Sequence, residues 1–588
     1  MVSPIYILIL SLAAGFLLSL VDRGGRRISL TVFYGVLAFN TALMVDWVYR
    51  FVFLHAPVLV INTAGFHAPV SINLELGLVQ AVVLLFANLT GLLAAVYMFR
   101  KFVEGQVSSL ILFLLLVMGV NGLVMTQDLF NMFVFLEILS ISTFALTAFT
   151  KTKSALSAGF KYMMAGGVAS TFFLLGVVFV YYFTGNLNLD FIHTEQFTEV
   201  GLVALFLLSV AVFVELKPFP ANGWALDVYQ SVDSGIASVI AVVNSAAIGF
   251  VFFKIMPLLP QNFLTVFGLA GIITFFFSNM MGLKQTNAKR LLGYSSIGQM
   301  GLLMGSLVFT AGVPSNIRYL IIGGFFVNHL ISKAGLFWLS GIVKQENLKD
   351  WSVLRNNKLL LVLFGVFIFA LSGFPPFAGF WAKWEFVKVL IESRMFFVLG
   401  AVLVGSLFEL VFLFRWFTVT VKEDSAADKP VFSSQKGMVF STWAFAVLAA
   451  VVAAGVMKFF YGFNWLLVLP VLAALFVFLV DSLPSKLKGF VSLGAVAAYG
   501  YYIYPLLESG LQVFFGIIFI VGSAVNIIST FNRKHQSKGF YGFLLMMIFS
   551  FGNLLIASSY LEFFLSWEFM TISSFLLILR GQRAQRAS

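Results

Sequence analysis

Apolar residues in this chain come in long, nearly uninterrupted runs, without the alternating or one-face spacing of a water-soluble fold. A helix needs about 20 apolar residues to cross the roughly 30 Å hydrocarbon core of a bilayer. Runs of that length recur from Ile5 almost to the C-terminus. They predict an all-α polytopic membrane protein with about nineteen transmembrane helices, over approximately 5–21, 29–49, 75–98, 107–125, 128–149, 162–183, 200–217, 232–253, 262–283, 292–311, 319–341, 359–390, 397–414, 437–457, 464–481, 489–505, 510–530, 539–557 and 560–579. No Lys or Arg precedes the first run, so it reads as a true span and not as a signal peptide.

Composition agrees. Of 588 residues 61% are hydrophobic and 10% charged, against about 25% charged in soluble domains. This excludes a soluble globular enzyme. The chain has no cysteine, which removes disulfides, Cys-ligated zinc, iron–sulfur clusters and thiol catalysis. Its five histidines are scattered, so neither a metal site nor a cofactor is expected in this polypeptide, nor any redox chemistry of its own. A net charge of +12 would suit nucleic acid, but the basic residues fall between spans, and no nucleic-acid partner is expected. Loops on one side hold 27 Lys and Arg and loops on the other hold five. The positive-inside rule then places the N-terminus outside and the C-terminus inside a cell (inner) membrane.

Four lysines remain at membrane depth: Lys217, Lys333, Lys383 and Lys388. Lys388 lies where a side chain can snorkel to an interface. Acidic residues at comparable depth are Asp46, Glu137, Glu215, Glu409 and Glu568. An ionisable group in a span costs at least about 2.5–3.5 kcal/mol and marks a functional position by default. Two of the lysines adjoin helix breakers, Lys217-Pro218-Phe219-Pro220 in the seventh span and Gly373-Phe374-Pro375-Pro376 before Lys383 in the twelfth. Broken helices at membrane depth are tolerated only where protein or a water-filled cavity satisfies the freed backbone, and a pair of them points to an ion path. The helix carrying Glu137 presents Glu137, Ser140, Ile141 and Phe144 on one face by helical spacing. That face is expected to look into the bundle.

The stretch from Asn121 to Ser140, with Glu137 in Phe135-Leu136-Glu137-Ile138-Leu139, resembles the fifth helix of the antiporter-like membrane subunits. That family comprises the large membrane subunits of respiratory complex I, Mrp-type sodium/proton antiporters and membrane-bound hydrogenases. Ala288-Lys289-Arg290-Leu291-Leu292-Gly293-Tyr294-Ser295-Ser296, His329-Leu330-Ile331-Ser332-Lys333 and Gly373-Phe374-Pro375-Pro376 through Lys383 resemble further motifs in the family's order, with a Mrp D-type flavour. The resemblance implies a fourteen-helix module with broken helices 7 and 12. It implies that Glu137 partners a lysine on the seventh helix, here Lys217, that His329 and Lys333 lie on a central hydrophilic axis, and that Lys383 stands near the exit. The family's usual seventh-helix lysine falls on Glu215 here, two residues before Lys217, and its eighth-helix lysine is replaced by Asn244. Glu409, on the thirteenth span, completes the candidate set.

An internal repeat follows. Glu568 aligns with Glu137 at an offset of 431, with six of fourteen positions identical between Phe133 and Leu146. Upstream, Glu75, Gly77, Leu78, Arg100 and Lys101 match Glu508, Gly510, Leu511, Arg533 and Lys534 at an offset of 433. Residues 1–460 thus read as an antiporter-like module and 461–588 as a partial second one, its first five helices. It stops where a sixth helix is expected, so either the natural chain continues past Ser588 or a neighbouring subunit docks there. The expected function is proton, or sodium/proton, translocation within a multisubunit NADH dehydrogenase-like, hydrogenase-like or Mrp-type complex, with other membrane subunits as partners and H+, with Na+ as second candidate, as cargo. A self-sufficient cation/proton antiporter, a subunit for inorganic-carbon uptake and a non-conducting scaffold are the alternatives. The coupling ion, the complex and any electron donor or acceptor are not written in the residues.

Overall fold

The computed structural model describes residues 2–193, 197–422, 436–462, 469, 474, 477, 484–531 and 539–586. The chain divides into two compact units, Met1–Val456 and Met457–Ser588.

In the first unit α1 (Tyr6–Val21) and α2 (Arg26–Phe53) precede a small antiparallel hairpin, β1 (Leu59–Asn62) and β2 (Asn73–Leu76), with Leu59 opposite Leu76. The hairpin was not foreseen as strands. Then come α3 (Leu78–Tyr97), α4 (Val107–Met125), α5 (Leu129–Thr147), α6 (Lys153–Thr184), α7a (Leu202–Glu215), α7b (Gly223–Ser231), α8 (Ser234–Leu258), α9 (Gln261–Gly282), α10 (Ala288–Phe309), α11 (Ser315–Val343), α12a (Lys358–Ser372), α12b (Ala378–Glu392), α13 (Phe396–Lys422) and α14 (Lys436–Tyr461). Among the described residues of the whole chain, thirteen helices are long and apolar enough to cross a membrane, with shorter apolar helices besides. The protein is an all-α, multi-pass membrane protein.

Local chemistry sets the helix ends. Asp128 accepts from Asn131 N–H at 2.8 Å, Asn287 from Arg290 N–H at 3.1 Å and Asn357 from Leu360 N–H at 3.2 Å, each filling an orphan donor at a helix start. Gly185 and Gly373 close α6 and α12a in the left-handed conformation that glycine adopts without strain. α8 and α10 have 94% of their apolar windows buried, against 33% for α6 and α13. The former therefore form the interior of the bundle and the latter lie at its periphery. α9 and α10 meet at close range through Gly271, Gly301 and Gly305; a side chain at Gly271 would stand 2.7 Å from the Gly301 carbonyl. Small residues permit this approach in a membrane, where apolar burial against lipid gives little driving force.

In the second unit α15 (Ser485–Ile503), α16 (Gly510–Ser529), α17 (Phe540–Ile556) and α18 (Tyr560–Arg586) gather around Tyr499, Ile527, Leu545, Ile548 and Phe549. The Tyr499 hydroxyl lies 2.6 Å from Asn553 Oδ1 and 2.9 Å from the Phe549 carbonyl. The span expected over 464–481 lies largely outside the described residues.

Candidate functional site

Both expected breaks are present, and neighbouring helices satisfy them. α7a ends at Glu215; Lys217 takes a left-handed conformation at φ 62°, and Pro218 and Pro220 remove two backbone donors. The Phe219 N–H donates to Thr274 Oγ1 on α9 at 3.1 Å. In the twelfth helix Asn328 of α11 donates from Nδ2 to the Ala370 carbonyl at 2.9 Å, and the Trp381 indole N–H donates to the Pro376 carbonyl at 3.0 Å. This is the condition under which a bilayer tolerates irregular backbone.

The ionisable residues line up along this interior. Glu215 is 4% exposed and Lys217 3%, and Glu215 lies in electrostatic range of both Lys217 and Glu137. Lys217 Nζ donates to Ser245 Oγ on α8 at 3.2 Å. No ion pair joins Lys217 to Glu137 among the described residues. Glu137 instead accepts from the Ser170 hydroxyl of α6. Glu137 is half-buried; its neighbour Ser140 is buried, but Ile141, expected on the same inward face, is 57% exposed. The face is therefore split, with Glu137 at its edge.

α8 carries a π-helical turn over Ile240–Asn244, a form that marks functional sites in many helices. His329 Nε2 lies 3.2 Å from the Ala241 carbonyl. A carbonyl only accepts, so Nε2 carries a proton, and Nδ1 has no hydrogen-bond partner among the described residues. Asn244 donates from Nδ2 to Thr143 Oγ1 at 2.8 Å and ties α8 to α5. One turn beyond His329, Lys333 is fully buried and its Nζ has no hydrogen-bond partner among the described residues. Glu409 of α13, also fully buried, accepts from Ser295 Oγ at 2.7 Å and Gln299 Nε2 at 2.6 Å. Its charge reaches both Lys333 and Lys383. Lys383, half-buried, sets its ammonium against Gly373 at the break. Lys388 is half-exposed and pairs with Glu385 at 2.9 Å, as a helix-end lysine does. Glu568, on α18 of the second unit, is half-buried.

Several participants were not foreseen. Ser170 and Ser245 touch the charged residues, and Thr274 the backbone of the break, only through hydroxyls, and the π turn leaves no mark in the side chains. Lys254, counted by charge among outer-loop residues, belongs to α8, and its ammonium donates to the carbonyls of Leu123 and Thr126 at 3.3 and 2.5 Å. A basic side chain closing the end of α4 would be suggested by the polar break Thr126-Gln127-Asp128.

Comparisons follow this geometry. The family described as NADH:quinone oxidoreductase/Mrp antiporter, TM, matches residues 126–409, the segment from the start of α5 to Glu409. NADH-quinone oxidoreductase subunit N of Desulforudis audaxviator is 27% identical over 379 residues, covering 60% of this chain and 73% of that relative. Subunit N 2 of Aquifex aeolicus is 26% identical over 472 residues, covering 77% and 92%. Among solved structures, a chain of an archaeal membrane-bound sulfane sulfur reductase matches with a TM-score of 0.71 and 26% identity, over 78% of this chain and 95% of that one. A chain of the Mrp complex from Dietzia sp. DQ12-45-1b shares the fold with a TM-score of 0.68 at 20% identity, over 77% and 94%. With its motifs in order, both breaks in place and this similarity along most of its length, the chain is similar to the antiporter-like membrane subunits of NADH-quinone oxidoreductases and Mrp complexes.

Proposed function

We propose that this protein is an ion-translocating membrane subunit of a multisubunit complex of the NADH-quinone oxidoreductase or Mrp type, moving protons along Glu137, Glu215, Lys217, His329, Lys333, Glu409 and Lys383, with Asn244 holding the eighth helix in register. The observation that carries this reading is the buried row itself. Glu215, Lys217, His329, Lys333 and Glu409 are each at most 5% exposed inside an apolar bundle. Glu215 Oε1, Asn244 Oδ1, His329 Nδ1, Ser332 Oγ and Lys333 Nζ have no hydrogen-bond partner among the described residues. Buried polar atoms are otherwise nearly always bonded to protein or ordered water, which supports a hydrated route through them. The chemistry needs no cofactor. A carboxylate beside a buried lysine favours the ammonium, and separating the two lets desolvation expel the proton to the next acceptor.

The second unit is read as a partial repeat. Its helices start at Gly510, Phe540 and Tyr560 where α3, α4 and α5 start at Leu78, Val107 and Leu129, near-constant offsets that support the alignment of Glu568 with Glu137. Gln80 Oε1 accepts from Gly77 N–H at 3.2 Å and Gln512 Oε1 from Ser509 N–H at 2.9 Å, a shared way of opening the helix. The charge rule places the N-terminus outside.

The test is proton flux under an imposed pH gradient, in vesicles holding the full chain with its partner subunits. Lys383→Ala should lower flux at least about tenfold, a barrier increase of about 1.4 kcal/mol, with normal membrane insertion. Wild-type flux in that variant sinks the reading.

A further inference from the structure

We propose that Ser278 and Asn279 form a water-holding inlet from the membrane face bearing Lys284 to Glu409. The proposal deepens the function given above, because it supplies a route into one member of the row. Both residues lie on α9 and are fully buried. Ser278 Oγ, Asn279 Nδ2 and Asn279 Oδ1 have no hydrogen-bond partner among the described residues. Thr274, one turn away, shows the usual solution by donating back to the Ala270 carbonyl at 2.7 Å. Ser278 does not do this, and the neighbouring carboxamide, which offers two donors and two lone pairs, is left wholly unmet. An apolar seam would carry Phe or Leu here, as at Phe275. A polar, unmet pair that water can reach does not bear the burial cost it would bear dry.

The surroundings give the pair a destination. Gly298 of α10 leaves the space in which Asn279 sits; a side chain there would stand 3.3 Å from both Asn279 Nδ2 and Oδ1. Ser295 and Gln299, on either side of Gly298, are the two donors to Glu409. α13 runs beside α9 with Gly405 against Phe275 and Phe412 against Gly282, which brings Glu409 to the level of Asn279. The distance to the surface is short. α9 ends at Gly282, three residues or about 5 Å beyond Asn279. Arg415, six residues or about 9 Å beyond Glu409, donates to the Leu283 and Gln285 carbonyls and closes over that end.

The chain contains no cysteine, so single substitutions give unambiguous labels. Ser278→Cys and Asn279→Cys, in the full chain with its partners in oriented vesicles, would be treated with a membrane-impermeant cationic methanethiosulfonate. Lys284→Cys reports which side the loop faces, and Phe275→Cys serves as the dry neighbour. Both inlet thiols should react from the Lys284 side only, at least about tenfold faster than the thiol at 275, since reaction needs a thiolate that water can reach. Protection of both thiols, or reaction from the opposite side, overturns the inlet. Should one variant fail to assemble, as judged by its insertion, the other decides. The labelling is independent of flux. Protected thiols beside a Lys383→Ala variant that has lost flux remove the inlet alone, whereas labelled thiols beside a fully active Lys383→Ala variant remove the function alone.

Discussion

Replacing Lys333 with methionine separates a structural role from a conducting one. The side chain is fully buried, its Nζ has no hydrogen-bond partner among the described residues, and its attractive charged neighbour is Glu409. Holding a charge at membrane depth costs at least about 2.5–3.5 kcal/mol, and methionine fills nearly the same volume without that cost. Glu409 keeps its bonds from Ser295 and Gln299 in the variant, so it is not left bare. Stability is therefore expected to be unchanged or up to about 3 kcal/mol higher, while proton flux falls at least about tenfold because no group at 333 can carry a proton. A structural anchor would behave in the opposite way, since breaking a buried pair that stabilises the fold costs about 3–5 kcal/mol. The assay pairs thermal unfolding in detergent with flux in vesicles. Marked destabilisation with retained flux would refute the reasoning.

Glu137→Gln retains a group that can accept from Ser170 but removes the charge felt by Glu215; flux should fall several-fold with little loss of stability, measured in the same vesicles. Asn328→Ala frees the Ala370 carbonyl at the twelfth-helix break and should cost about 1–3 kcal/mol in thermal stability. Gly301→Val forces α9 and α10 apart, with an expected loss of at least about 1–3 kcal/mol and poor recovery of folded protein. Equal recovery and melting behaviour for Gly301→Val would contradict the close helix contact.

What was legible in the residues follows from what a bilayer penalises. Lys217, Lys333, Lys383, Glu137, Glu215 and Glu409 stand out because a charge within an apolar run has few innocent explanations, and Pro218, Pro220 and Gly373 because they cannot continue a helix. Hydroxyls and carboxamides carry no such penalty signal. Ser170, Ser245, Thr274 and Asn279 look like any small polar residue on a packed helix until their neighbours are known. The π turn at Ile240–Asn244 is a backbone event in the apolar sequence Ile-Ala-Val-Val-Asn, where nothing announces the extra residue. The face expected to carry Glu137 inward divides: its carboxylate bonds to Ser170 and lies in range of Glu215, whereas Ile141 is exposed. Helical spacing puts Ile141 on its face, but an arc of that width on a peripheral helix spans the boundary between protein and lipid. The resemblance named Lys217 as partner, whereas the break turns its ammonium toward Ser245, and Glu215 lies in electrostatic range of both.

The central claim is that these buried groups act in series as one path. Flux should therefore be compared for Lys217→Ala, Lys333→Ala, Lys383→Ala and their pairwise combinations, in vesicles holding the assembled complex at one fixed pH gradient. Residues acting as a unit are grossly non-additive. Each single variant should lose flux at least about tenfold, and each double should lose little more than the worse of its singles. Losses that multiply in the doubles, or any single variant at wild-type flux, would contradict a single path through Lys217, Lys333 and Lys383.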